Sequence, residues 1–229
     1  MLVITWRLKR DVKQIMNNQK AAQKALVLVA VIAWCGVLLQ LYISLSNAVL
    51  DGRGVINGLV RYFAYFTILT NIFVALVATA PALFRQSKLG QWFSTPVVTG
   101  CAVTAILFVG LAYHILLRHV WHPEGLQLVA DYLLHYITPA SLVLFWIVFP
   151  PQQTLSKLDP VRWSIYPLGY FVYVLVRGLL GDTYPYYFID VSQIGYGQTI
   201  INALALCMVY LILGSLVLAI TKYRQAKKI

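Results

Sequence analysis

Asp131 and His135 stand four residues apart in Ala130-Asp131-Tyr132-Leu133-Leu134-His135. On a helix that spacing puts both side chains on one face. A carboxylate beside a histidine fixes the imidazole tautomer and supports its protonated form, as general-base work requires. The same spacing equally suits a capped helix start above a satisfied buried histidine. The second candidate is Tyr65-Phe66-Thr67-Ile68-Leu69-Thr70-Asn71. A threonine in an apolar helix ordinarily hydrogen-bonds its own backbone, and it becomes a nucleophile only with a base in reach. Asn71 or a nearby arginine would then offer a donor to a developing oxyanion. His114, His119 and His122 form no HExxH pattern, and Pro123 breaks the helix behind them. No metal site and no cofactor are expected.

These residues need a scaffold, and the composition says which. The chain has 229 residues, 60% hydrophobic and 11% charged. Soluble domains lie nearer about 45–50% apolar and about 25% charged. A soluble enzyme, a disordered tail and a disulfide scaffold are excluded, and a polytopic membrane protein remains. Six apolar runs follow one another near 25–46, 62–84, 96–117, 127–149, 162–181 and 198–221. Each is close to the roughly 20 residues that cross a bilayer as a helix. No strand-like alternation at barrel spacing appears, so the expected fold is all-α with six transmembrane helices. A basic lead (1–24), which reads as an interfacial helix rather than a signal peptide, precedes the membrane domain (25–221), and a basic tail (222–229) follows it. Cys35, Cys101 and Cys207 lie singly inside apolar runs and form no CxxC pair, so no disulfide is expected.

The net charge is +11. All 18 Lys and Arg residues except Arg53, Arg61, Arg118 and Arg177 fall on one side of the expected topology. The positive-inside rule then places both termini in the cytoplasm. The charge serves topology, and no nucleic-acid partner is expected.

Topology gives each polar residue a depth. Thr67, Asn71, His135, His114, Arg118, Arg177 and Asn202 come from five helices, yet all lie in the outer third of the membrane. Ionisable groups at such depth usually face a bundle interior or a wet cavity, so an outward-opening pocket is expected. The alternative is snorkelling to headgroups, which suits Arg61 and Arg118 as helix-ending residues. In the pocket reading, Arg118 or Arg177 anchors a carboxylate or phosphate, and the aromatic loop Tyr184-Pro185-Tyr186-Tyr187-Phe188 roofs the site. Arg177 is also placed to pair with Asp182.

Several segments resemble a known group. Gly169-Tyr170-Phe171-Val172-Tyr173 through Tyr184-Pro185-Tyr186-Tyr187-Phe188-Ile189-Asp190 resembles a Gly-Tyr helix leading to an aromatic-Tyr-Pro-Phe segment and an acid. Phe66-Thr67-Ile68 resembles a Leu-Thr-Phe segment at a nucleophilic threonine. Leu134-His135-Tyr136-Ile137-Thr138-Pro139 resembles a histidine segment with a proline shortly after it. In these respects the chain is similar to the androgen-induced and androgen-dependent integral membrane proteins, six-helix hydrolases of fatty-acid esters of hydroxy fatty acids. It is most similar to an uncharacterised bacterial branch of that superfamily. The resemblance implies Thr67 as nucleophile and His135 as its base, with Thr70 a rival within the Thr-Ile-Leu-Thr run. Asp131 stands where the eukaryotic members have an asparagine, and the proline follows the histidine one residue sooner.

The expected activity is therefore threonine-dependent hydrolysis of a lipid ester at Thr67 and His135. Asp131, Asn71 and Thr70 would support them, and His114, Arg118, Arg177, Tyr184 and Asn202 would bind substrate. Membrane lipids or lipid-like molecules are the expected partners, and the bacterial inner membrane the expected location. The alternatives are a lipid or amphipathic-acid binding or transport protein without chemistry, and an assembly subunit whose polar groups hold helices together.

Overall fold

The computed structural model describes residues 2–181 and 183–227, with side chains from residue 16 onward. The basic side chains as far as Lys13, Lys228 in the tail, and Asp182 with its expected pairing to Arg177, lie outside the described residues. Every regular element among the described residues is helical. Six helices are long and apolar enough to cross a membrane: Met16–Leu50, Phe66–Leu83, Pro96–Leu117, Gly125–Val148, Asp159–Gly181 and Val191–Ala226. They correspond one to one with the six apolar runs, and are called here the first to sixth spans. The basic lead is not a separate element. One helix, Leu2–Leu50, carries it directly into the first span.

Local chemistry sets the breaks between spans. Asp51 pairs with Arg53 in the turn that closes the first span, and a short helix, Gly54–Tyr62, follows. Ser87 accepts from the Gly90 amide at 3.0 Å and starts the small helix Lys88–Phe93. Pro96 occupies the first turn of the third span, where its missing N–H costs nothing. Asp190 accepts from the Ser192 amide at 3.0 Å and from the Gln193 side chain at 2.7 Å. The acid that ends the aromatic segment is thus a helix cap. The sixth span kinks soon after it, at Gly195.

Lipid tails are as apolar as leucine, so these helices are held by close packing and interhelical hydrogen bonds rather than by escape from water. Small residues line the contacts of the first three spans: Ala33, Ala75, Ala78, Ala102 and Ala105 are all fully buried. Trp34 donates to Thr79 at 3.0 Å, Gln23 to the Ala82 carbonyl at 3.0 Å, and Tyr62 to the Val37 carbonyl at 2.7 Å. Leucines, isoleucines and valines of all six spans face outward. Gly100 is one of the tight seats: an added Cβ would lie 2.4 Å from the Trp163 ring. Trp163 is itself buried and packs on Gly214, so it has no room to yield. Gly100→Ala is expected to cost about 1–3 kcal/mol, read as a lowered midpoint of thermal unfolding in detergent.

Candidate functional site

The fourth span is not a regular helix at its most polar point. Pro139 has no N–H to give. Around it the backbone widens into a π-turn, Leu133–Ile137, in which the Thr138 amide donates to the Leu133 carbonyl. The next carbonyl in that register belongs to Leu134, and its partner would be Pro139, which cannot donate. Asn71, from the second span, fills the gap. Its Nδ2 donates to the Leu134 carbonyl at 3.1 Å and to the Thr67 carbonyl at 2.8 Å. One buried amide therefore ties the turn that carries Thr67 to the turn that carries His135.

The third span has its own π-turn, Tyr113–Leu117, closed by the Arg118 amide on the Tyr113 carbonyl at 2.9 Å. The two widened turns face each other. The Tyr113 ring stacks on the His135 imidazole with centroids 3.8 Å apart and planes 11° from parallel. The Tyr113 hydroxyl donates to Asp131 Oδ2 at 2.6 Å. The other oxygen of Asp131 lies 3.1 Å from His135 Nδ1, and so does the Asp131 backbone carbonyl. Both neighbours of Nδ1 are acceptors, so the neutral ring carries its proton there and presents Nε2 as the basic lone pair. Asp131 is only 3% exposed, a position a carboxylate tolerates because its oxygens are hydrogen-bonded. Widened helical turns of this kind often mark functional sites.

Thr67 lies in the first turn of the second span, where backbone N–H groups have no partner within the helix. Its amide donates to the Tyr186 hydroxyl at 3.4 Å, and its Oγ1 lies 3.5 Å from that same hydroxyl. Burial pushes the Tyr186 phenol up to about 12, against the contacts with Thr67, which act to lower it. The phenol therefore stays protonated at neutral pH and keeps a hydrogen to donate. Thr70 faces elsewhere. It is fully buried, and its hydroxyl lies 3.2 Å from that of Tyr166.

Two cavities border Thr67. The larger, about 430 Å³, is the more polar, and Thr67, Asp131, His135, Arg61, Gln40 and Gln127 are among its lining residues. The smaller, about 170 Å³, is apolar and lies among the third, fifth and sixth spans, with Phe108, Leu168, Phe171 and Leu204 in its wall. Thr67, Tyr113, Leu117 and Tyr186 line both, so they form a collar between the two. Thr67 and His135 share the polar cavity; no direct hydrogen bond joins them among the described residues.

The remaining sequence candidates lie outside both cavities. Asn71 has both its donor contacts on carbonyls and lines neither cavity, so it holds the two turns together and does not face an oxyanion. Thr70 also lines neither. His114 contacts Arg118 and Tyr136 on the exposed surface of the third span. Arg177 donates to the Thr183 carbonyl at 2.7 Å. Asn202 donates to the Phe188 carbonyl at 2.8 Å. Tyr184 packs on Gly178 so closely that a Cβ there would lie 2.1 Å from its ring. Arg177, Gly178 and Asn202 thus anchor the aromatic loop, and Tyr186 is the residue that the loop presents to Thr67. Sequence reading passed over Tyr113 and assigned Arg61 to snorkelling at a helix end. Tyr113 precedes His114 in a run of apolar residues and carries no motif. Arg61 carried a signal, a cation just before the second span, that fitted snorkelling equally well.

Comparisons with protein-family models, with curated proteins and with solved structures return no match for this chain. The reading of the site rests on its geometry.

The Tyr113 hydroxyl offers a clean test of the cluster. Tyr113→Phe keeps the ring on His135 and removes the donor to Asp131. A hydrogen bond to a charged group contributes about 1.5–3 kcal/mol, so any ester-cleaving rate is expected to fall by about tenfold or more. Turnover of the purified variant, beside its unfolding midpoint, checks this.

Proposed function

We propose that this chain is an intramembrane hydrolase of lipid esters, with Thr67 as nucleophile and His135 as general base. The observation that carries the reading is the Asp131–His135 pair, braced by Tyr113, in the cavity that Thr67 also lines. Asp131 holds the proton on Nδ1, and Nε2 takes the proton of Thr67 directly or through one water. The Thr67 amide, at the positive end of a helix, and the Tyr186 hydroxyl are the donors for the oxyanion. Fatty-acid esters of hydroxy fatty acids, which the resemblance implies, suit one polar and one apolar cavity. The protein sits in a bacterial inner membrane with both termini in the cytoplasm, and its site opens on the opposite face. The test is labelling of the purified protein by a fluorophosphonate probe, with release of fatty acid from a synthetic ester as a second readout. Saturable labelling together with ester cleavage supports the reading, and the absence of both refutes it.

The second reading is a lipid-binding protein without chemistry. The observation that favours it is the missing direct bond between Thr67 and His135. It predicts tight retention of the ester, unchanged, with no covalent label.

A further inference from the structure

His135 lines the polar cavity alone, whereas Thr67 lines both. In an acyl transfer the base that takes the nucleophile's proton returns it to the leaving oxygen. The leaving alcohol must therefore lie on the side of His135, and the acyl chain on the other side of Thr67. We infer, resting on the hydrolase reading above, that the ester lies across the collar in one direction only. Its acyl chain occupies the apolar cavity, and its alcohol half, carrying an anionic group, occupies the polar cavity with that group on Arg61.

The walls agree with this division. Leu168 and Leu204 of the apolar cavity are also exposed on the outer surface of the fifth and sixth spans, so a chain enters sideways from the bilayer. On the polar side, Asp131 is already engaged by Tyr113 and His135, and Arg53 is paired with Asp51. Gln40 and Gln127 bond each other, with Gln127 donating to Gln40 at 2.8 Å. The Arg61 side chain lines the same cavity with no hydrogen bond or ion pair among the described residues. Among the described residues, the polar cavity therefore has a free cation and no free acid.

The reaction balances in this orientation. Thr67 Oγ1 bonds the ester carbonyl carbon while its proton passes to His135. The carbon–oxygen bond to the alcohol breaks, and the alkoxide takes that proton. Water then gives a proton to His135 and attacks the acyl-threonine; as the bond from the acyl carbon to Oγ1 breaks, His135 returns that proton to Oγ1, releasing a fatty acid and restoring Thr67.

The test uses the wild-type protein in lipid nanodiscs and a palmitoyl amide of an ω-amino fatty acid, which cannot be cleaved as an ester. One version carries a diazirine at the acyl end, the other at the carboxylate end. The acyl-end label is expected on residues 167–171 or 200–207, and the carboxylate-end label on residues 53–61 or 127. Exchanged labels, labels spread over both cavities, or no saturable label would overturn the inference. Arg61→Gln is expected to weaken the carboxylate probe by about tenfold, in keeping with loss of one charged hydrogen bond, and to leave its methyl ester unaffected. Equal effects on the acid and its methyl ester would overturn the role of Arg61. A matching aminoalkyl phosphate decides which anion is preferred, tighter binding than the carboxylate pointing to a phospholipid-like alcohol half. None of these measurements needs turnover. Correctly sorted labels on a protein that cleaves no ester would refute the hydrolase reading and leave the ligand orientation standing.

Discussion

Thr67→Ala is expected to lower ester hydrolysis by at least about 10³-fold, as removal of a nucleophile does elsewhere, and to abolish fluorophosphonate labelling. The side chain borders both cavities and is 9% exposed, so a methyl group there leaves the packing nearly intact. Thr70→Ala provides the contrast. Thr70 is equally a threonine of the same helix, yet its hydroxyl is turned to Tyr166 and away from both cavities. Its loss removes one interhelical hydrogen bond, about 0.6 kcal/mol in a membrane, and turnover should stay within a few-fold of wild type. Opposite results for the two variants would move the reactive centre to the Thr70–Tyr166 side and end the case for His135 as base.

The contrast between the two threonines shows what sequence reading resolves. Hydropathy gives span limits because each span must satisfy its own backbone and face lipid over a fixed thickness. Alternating topology then gives an expected depth, which brought Thr67 and His135 to one level, and the four-residue spacing added Asp131. Depth does not give direction around the helix axis. Arg118, Arg177 and Asn202 share the level and point elsewhere, to His114, the Thr183 carbonyl and the Phe188 carbonyl. Thr67 and Thr70 lie within a turn of each other, and only the packing of Tyr166 and Tyr186 separates their roles. The position of Pro139 did carry local information. A missing N–H four residues after His135 leaves a carbonyl without a donor, and a buried polar group elsewhere must supply one. That Asn71 would be this donor depended on how the second span lies against the fourth, which one chain's sequence does not print. Tyr113 was hidden for a related reason. In a membrane helix an aromatic residue near the interface is ordinary, and its contact with Asp131 arises only when two π-turns meet.

The second large effect follows from treating Asp131 and His135 as one unit. His135→Ala removes the base and is expected to lower hydrolysis by about 10²–10⁴-fold, with labelling by the fluorophosphonate probe reduced in parallel. Asp131→Ala leaves the imidazole held at Nδ1 by the backbone carbonyl of residue 131 alone and removes the carboxylate that supports its protonated form, and it should lose much of the same rate. If the carboxylate acts only through the histidine, the double variant will be no slower than His135→Ala alone, since groups that work as a unit are strongly non-additive. If instead the two losses multiply, Asp131 contributes to the cavity by another route, and the partner left behind identifies it. Tyr113, whose hydroxyl would be stranded without a carboxylate, then becomes the residue to change next. Replacing it by Phe in the Asp131→Ala background should restore stability without restoring rate, because it removes a buried unpaired hydroxyl but returns no acceptor to the imidazole.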